Sequence, residues 1–277
     1  MTTLQQAQQH DNQIKTLIDA CNDNSCSDPR YSVHHELLLW KRRLVVPSGH
    51  ELIHILLNEF RSSVIGGHAG FSRTLARVAA QFYWKGMHHD IKSYVQRCLI
   101  CQQAKVAATL PAGFLQPLPI PSQIWEDLAM DFITGLPVSH GFTVIYVVVD
   151  RLSKAAHFTP MKHDFTSKLV AEIFFKNIVK LHGLPKSIVS DPDKVFTSHF
   201  WKILWQLSGT TLKMSSAYHP QSDGQSEILN KCLELYLRCF TFDAPKEWSG
   251  MLTWAEYWYN TSYHSSTGMT PFRAVYG

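Results

Sequence analysis

The sequence has no long apolar run. Its longest, Val144 to Val149, is six residues, about a third of what a bilayer span requires, so no membrane helix is expected. The first ten residues lack a basic start followed by an apolar stretch. No secretory leader is therefore expected, and the compartment is predicted to be reducing. The six cysteines are then read as thiols or metal ligands rather than disulfides. Strong charge of one sign is missing too: 26 basic against 22 acidic residues leave a net charge of +4. Residues 1–50 carry five basic and five acidic residues, 51–113 carry seven and three, and 114–277 carry fourteen and fourteen. The whole excess sits in one stretch, which on charge alone reads as a solvated basic face before it reads as a DNA contact.

What is present is a globular composition: 277 residues, 45% hydrophobic and 12% aromatic, enough for one large core or two domains. Residues 1–30 are polar and rich in Asn, Gln and Asp, and read as a poorly ordered arm or loose helix. Tyr31 to Pro47 reads as a small hairpin, two apolar runs around a charged turn. Helices follow over 50–60, with Leu52, Ile55, Leu56 and Phe60 as the core face, over a segment capped by Ser72 that buries Leu75, Val78, Ala79 and Phe82, and over about 88–98. A unit of three short helices buries little apolar surface and usually needs a staple such as a metal. Residues 31–109 are thus expected to form a small helical His/Cys domain.

Four of the thirteen prolines fall within 110–121, which suits a semi-rigid linker and a domain boundary. The second domain is expected over 122–277. Strands over 125–133, 143–150 and 156–161 are joined by turns that suit antiparallel neighbours. Thr166 caps a helix burying Leu169, Val170, Ile173, Phe174, Ile178 and Leu181 and ending at Gly183. A buried strand over 186–190, a helix over 198–207, a fifth strand over 210–217 and helices over 227–240 and 248–259 complete it. This is a mixed five-stranded α/β sheet flanked by helices.

Chemistry-bearing residues fall in both domains. Cys98 and Cys101 present two thiols from one turn, half of a tetrahedral zinc site, and His68, separated from the pair by 29 intervening residues, is a plausible third ligand. The fourth is missing: Arg61, seven residues before His68, stands where a second His would complete the set, and His54, His88 and His89 are substitutes by composition only. In the second domain Asp131 lies within an apolar strand, where a charge is expensive unless it faces a cleft or cation. Asp191 directly follows the strand over 186–190, on the side of an α/β sheet where ligands collect. Glu227 opens a helix after a Gly- and Ser-rich loop. Strands one and four of such a sheet are neighbours, so a carboxylate from each, joined by one from a nearby helix, makes a set of hard oxygen donors suited to Mg²⁺. Asp150, Asp193 and Asp223 lie near these points but in turns or loops, where a solvated Asp is commonplace.

Gly66-Gly-His-Ala-Gly-Phe71, Phe82-Tyr-Trp-Lys-Gly-Met87 and Cys98-Leu-Ile-Cys-Gln-Gln-Ala-Lys105 resemble the zinc-binding N-terminal domain of retroviral and gypsy-type LTR-retrotransposon integrases. Met130-Asp-Phe-Ile-Thr-Gly-Leu-Pro137, Val149-Asp-Arg-Leu-Ser-Lys154, Val189-Ser-Asp-Pro-Asp-Lys-Val-Phe-Thr-Ser198 and Ala217-Tyr-His-Pro-Gln-Ser-Asp-Gly-Gln-Ser-Glu-Ile-Leu-Asn230 look like the RNase H-like catalytic core of the same family. The likeness runs from about Tyr31 to Gly277. It implies an RNase H-like fold and makes Asp131, Asp191 and Glu227 a catalytic triad holding Mg²⁺ or Mn²⁺. It makes His68, Cys98 and Cys101 zinc ligands, and Tyr218, Gln221 and Gln225 parts of a DNA-contacting loop. It implies 3′-end trimming and strand transfer on double-stranded DNA in the nucleus by a homo-oligomer. The chain departs from the family at Arg61, the first His of the His-His-Cys-Cys set. Zinc is accordingly expected to be held weakly, and Arg61→His to tighten it. A degenerate or host-adopted non-catalytic descendant is the alternative reading, and a metal-dependent nuclease a third.

Overall fold

In the computed structural model, residues 3–23, 25–104, 121–214 and 224–277 are described, without the side chains of 224 and 225. The chain divides into two units, Met1–Gln103 and Ala104–Gly277.

Of the two expectations for the polar start of the first unit, the helical one holds: it forms α1 (Thr3–His10) and α2 (Asn12–Asn22), docked rather than loose. Asp11 caps α2 by accepting from the backbone N–H groups of Gln13 and Ile14, which satisfies two otherwise orphaned donors. Gln8 is fully buried: its amide donates to the carbonyls of Leu38 and Val45 and accepts from Leu38 N. A polar residue can be buried at little cost when its partners are backbone groups. That is the physical reason a polar segment docks here.

The expected single hairpin is two. β1 (Tyr31–His34), β2 (Leu37–Trp40) and β3 (Arg43–Val45) form an antiparallel meander, and β4 (Phe82–Tyr83) adds parallel to β3. Each turn is two residues long with left-handed backbone in residues that are not glycine: His35 and Glu36 at φ 48° and 61°, Lys41 and Arg42 at φ 48° and 64°. Such turns match the twist of the flanking strands, but they lack the glycine that usually announces them.

Helix α3 (Glu51–Leu57) runs into one π-helical turn, Asn58–Ser62. Its buried residues are Ile53 and Leu57, whereas Ile55, expected in the core, is 57% exposed. Apolar residues surround most of this short helix, so periodicity alone did not define a face. Gly70, not Ser72, is the N-cap of α4 (Phe71–Ala79), which buries Thr74 and Val78; Phe82 belongs to β4. Helices α5 (Met87–Gln96) and α6 (Leu99–Ala104) follow. Val46, Ile53, Leu57, Val78, Trp84, Met87 and Ile91 form the core of this unit.

In the second unit, β5 (Asp127–Ile133), β6 (Val144–Asp150) and β7 (Ala156–Met161) are antiparallel neighbours. β8 (Ser187–Ser190) and β9 (Thr211–Met214) extend the sheet parallel to β5, giving the order β7-β6-β5-β8-β9. This is the mixed five-stranded arrangement expected from the sequence. β5 starts two residues later than expected because the chain turns at Trp125, where φ is 62°. All seven residues of β6 are buried, since helices cover both faces. On one face lie α7 (Ser167–Phe174), α8 (Lys180–His182), α9 (Lys194–Thr197) and α10 (His199–Leu207). Their Val170, Phe174, Val195, Trp201 and Trp205 pack on Met130, Tyr146 and Val148. On the other lie α11 (Gly224–Phe240) and α12 (Trp248–Thr261), whose Leu229, Leu233, Leu252 and Trp258 pack on Ala129, Val147 and Val189. A last helix, α13 (Pro271–Tyr276), packs against α12. Thr166 caps α7 as expected and Gly183 ends the run at φ 85°. Leu169 and Leu181, expected in the core, are 40% and 63% exposed. No helix among the described residues is long and apolar enough to cross a membrane. The linker expected over 110–121 lies, apart from Pro121, outside the described residues.

Candidate metal centres

Asp131 occupies the row Ala129–Asp131–Ile133 of β5, on the face covered by α11. Two apolar neighbours in that row explain why it is partly buried. In the parallel pairing of β5 with β8, Met130 lies opposite Ser190. The next residue in each segment is an aspartate, Asp131 still within β5 and Asp191 just past the end of β8, so the two lie close to the same level of the sheet. Two donors come to the Asp131 carboxylate: the backbone N–H of Phe132 at 2.8 Å and Asn230 Nδ2 at 2.6 Å. Burial raises the pKa of Asp131, and the negative charges of Asp191 and Asp193 raise it further, against the two hydrogen bonds. A carboxylate held where its own charge is disfavoured is a group that a cation would relieve.

Asn230 was not among the site residues expected from sequence. Its contact places the first turns of α11 over Asp131, and Glu227, three residues earlier, shares that helical face. Glu227 itself is exposed and pairs with Lys231 at 2.6 Å. Asp191 is exposed as well. Asp131 and Asp191 are thus brought together by the sheet, while Glu227 does not join them at ligand distance; among the described residues the only group of three such donors within 4.8 Å of one another lies elsewhere. Of the neighbouring acids, Asp193 caps α9. Asp150 is buried and accepts from Trp125 N, Ser153 N and Ser153 Oγ, so it holds a turn. Tyr218, Gln221 and Asp223 lie outside the described residues, and Gln225 is described only as backbone in the first turn of α11.

That other group is His68, Cys98 and Cys101. His68 Nδ1 lies 3.4 Å from Cys98 Sγ and 3.7 Å from Cys101 Sγ. A tetrahedral zinc with ordinary Zn–N and Zn–S bonds would set such N···S edges at about 3.6 Å. Three donors are therefore placed as a metal would need them. No fourth His, Cys, Asp or Glu joins them among the described residues. His54 packs edge-on against Tyr94 and His88 against Phe71. Arg61 occupies the remaining side, with Nη2 donating to Cys101 Sγ at 3.1 Å. A guanidinium has five donors and no acceptor at any ordinary pH, so the set does not fit a closed four-ligand zinc site.

Residues 49–107 match the integrase zinc-binding domain family. Over 236 residues, 85% of the chain, the sequence is 36% identical to the transposon Tf2-3 and Tf2-4 polyproteins of Schizosaccharomyces pombe. The chain belongs to the retroviral integrase superfamily. It spans 18% of the length of those curated relatives. Among solved structures it is similar to the HTLV-2 integrase catalytic core domain in complex with magnesium, at 18% identity and a TM-score of 0.45, covering 57% of this chain and 98% of that one. It is also similar to the catalytic core domain of BIV integrase, at 21% identity and a TM-score of 0.43, covering 54% and 93%. Within this chain, Arg61, His68, Cys98 and Cys101 all fall inside the segment matching the zinc-binding family, and Asp131, Asp191 and Glu227 lie on the five-stranded unit.

Proposed function

We propose that this chain is a retrotransposon integrase segment that trims the 3′ ends of element DNA and joins them to target DNA. Asp131, Asp191 and Glu227 would hold Mg²⁺, or Mn²⁺ in its place. The observation that carries this reading is the pair of aspartates near one level of the sheet, Asp131 in β5 and Asp191 just past β8, the first partly buried and hydrogen-bonded by Asn230 from the helix that carries Glu227. Carboxylate oxygens are the donors that Mg²⁺ prefers. When bound, Mg²⁺ would favour a deprotonated attacking oxygen and offset charge on the leaving one.

The residues have separable tasks. Asp131 is fixed by two hydrogen bonds and sets the position of the site on the sheet. Asp191, on the chain just past β8, and Glu227, on the first turns of α11, are exposed and supply the movable part of the donor set. The joining step forms a bond from a DNA 3′-hydroxyl oxygen, whose proton passes to solvent, to a target phosphorus and breaks the bond from that phosphorus to the target's own 3′ oxygen, which takes up a proton from solvent. No side chain of the protein needs to become covalently attached. Tyr218, Gln221 and Gln225 are proposed DNA contacts on sequence grounds, as are nuclear action and assembly of several copies. The even charge balance of residues 114–277 leads us to expect weak, salt-sensitive DNA binding by this chain.

A strand-transfer assay tests the reading: the full chain, Mg²⁺ or Mn²⁺, and labelled duplex ends, with Asp131→Asn in parallel. Joined products that disappear with the substitution support it. Cleavage without joining would replace it with a nuclease, and DNA binding with neither would replace it with the non-catalytic descendant.

A further inference from the structure

Arg61 is fully buried, an unusual fate for an arginine, and none of the ion pairs among the described residues supplies it with a carboxylate. What surrounds the guanidinium is soft and electron-rich instead. Cys101 Sγ accepts from Nη2 at 3.1 Å, the ring of Tyr94 lies 5.7 Å from its central carbon, and His68 Nδ1 stands 3.7 Å from Cys101 Sγ. Arg61 Nε and Nη1 are buried with no hydrogen-bond partner. A buried cation in this position is held by the same atoms that would hold a metal.

The backbone aims it there. Arg61 lies in the π-helical turn that ends α3, and its carbonyl accepts from the N–H of His68 at 2.8 Å. A β-carbon on Gly66 would meet the Arg61 backbone at 2.4 to 2.5 Å, so only glycine lets residues 61 and 68 come this close. The side chain at 61 therefore enters the site beside His68 whatever its chemistry. We propose that in this chain Arg61 takes the structural place of the metal: its guanidinium is the built-in cation against which Cys98, Cys101 and His68 close, and the N-terminal unit folds without zinc. The meander β1–β3 with α1 and α2, and the seven-residue core around Trp84, supply packing that three bare helices would lack, so a metal staple is dispensable.

The proposal is independent of the DNA-joining reading, because its readouts are metal content and stability. The full chain would be produced in zinc-supplemented medium and its zinc measured by elemental analysis. In Mg²⁺-free buffer its Tm would be followed by circular dichroism with and without EDTA, and the rate at which Cys98 reacts with a thiol reagent under the same two conditions. The expected result is zinc well below one per chain, with the Tm and thiol reactivity unmoved by the chelator. Arg61→His should acquire one zinc per chain, bind it on the order of 100-fold more tightly, and become sensitive to EDTA in both readouts. Arg61→Leu should lower the Tm without creating chelator sensitivity. One tightly held zinc in the wild-type chain, or a wild-type Tm that EDTA lowers, would overturn the proposal, and so would a folded Arg61→His that takes no zinc. If Arg61→His does not fold, the wild-type measurements alone decide.

Discussion

The two centres of this chain solve opposite electrostatic problems. Around Arg61 a permanent cation is buried with two sulfurs, a histidine and an aromatic ring; Arg61, His68 and Cys101 are buried, while Cys98 and Tyr94 are partly exposed. Around Asp131 negative charge is gathered from two strands, and the side chains that would complete the donor set, Asp191 and Glu227, are exposed. A built-in cation makes a site that is finished when the chain folds. Carboxylates without one make a site that costs stability until a cation arrives, the usual trade between activity and fold. The first arrangement suits a structural joint and the second a reaction centre.

The largest effect should come from removing one charge of the open centre. Asp131→Asn keeps the size and an acceptor for Asn230, yet should cut DNA joining on the order of 1,000-fold or more. The same substitution should raise the stability of the metal-free chain by about 1 kcal/mol, because a carboxylate whose folded pKa is raised opposes folding once it is ionised. Added Mg²⁺ should raise the Tm of the wild-type chain but leave that of Asp131→Asn nearly unmoved. If the variant melted lower than wild type without metal, Asp131 would be a structural residue and the contrast between the centres would fail.

The closed centre is sharpened by a single methyl group. Gly66→Ala would drive a β-carbon to within 2.4 Å of the Arg61 backbone and should destabilise the chain by about 3 kcal/mol, as overpacking at an unyielding site does. The measurement is a urea midpoint. An unchanged midpoint would show that the backbone around Arg61 can relax, and the site would not be closed in the sense argued above. Smaller again is Asn230→Ala, which leaves all three carboxylates in place but frees Asp131 from α11. Loss of such an orienting contact typically weakens metal affinity roughly 10- to 100-fold. Titrating joining activity against Mg²⁺ should show the loss as a shift in metal requirement with the maximal rate largely retained, whereas a fall in the plateau alone would make Asn230 irrelevant to metal binding.

How much of this was legible in advance differs between the two units. β7 begins and ends at the expected residues, Ala156 and Met161, and β6 is one residue shorter than expected, because a strand buried on both faces reads as an unbroken apolar run. The pair Asp131 and Asp191 was legible because acids at those places contradict the apolar pattern around them. The first unit was harder. Its turns use His35-Glu36 and Lys41-Arg42 rather than glycine. Its first helices are held by Gln8 to backbone groups of residues 30 and 37 positions away, a long-range satisfaction that no local pattern encodes. Arg61 was visible as a missing ligand, but its burial was not, because composition alone predicts a solvated arginine. Asn230 was hidden for a similar reason: an Asn three residues after a Glu on a helix is ordinary until the structure shows what it touches.

The smallest expected effect lies in neither centre and serves as their control. On the second unit His157 Nε2 and His182 Nε2 are 3.0 Å apart, His157 Nδ1 is 3.0 Å from Glu256 Oε1, and Trp125 stacks on the His182 ring at 3.7 Å. With Glu256 accepting from Nδ1, His157 accepts from His182 Nε2, so the pair is satisfied with both rings neutral. Burial lowers the pKa of His182 to about 4, and the electrostatic influence of the adjacent His157 works in the same direction. A histidine whose folded pKa lies below its unfolded value near 6.5 takes up protons more readily unfolded than folded in the interval between. Stability contributed by neutral His182 is therefore complete above about pH 6.5 and is lost as the pH falls toward 4. Because the ring is half-exposed, solvent screening should hold the loss to about 1 kcal/mol. The Tm of the wild-type chain should fall through that interval more steeply than that of His182→Gln, with zinc content unchanged. Parallel curves would show that neutral His182 contributes nothing to the acid response; the raised pKa of Asp131 could not account for it either, since it acts in the opposite direction as the pH falls.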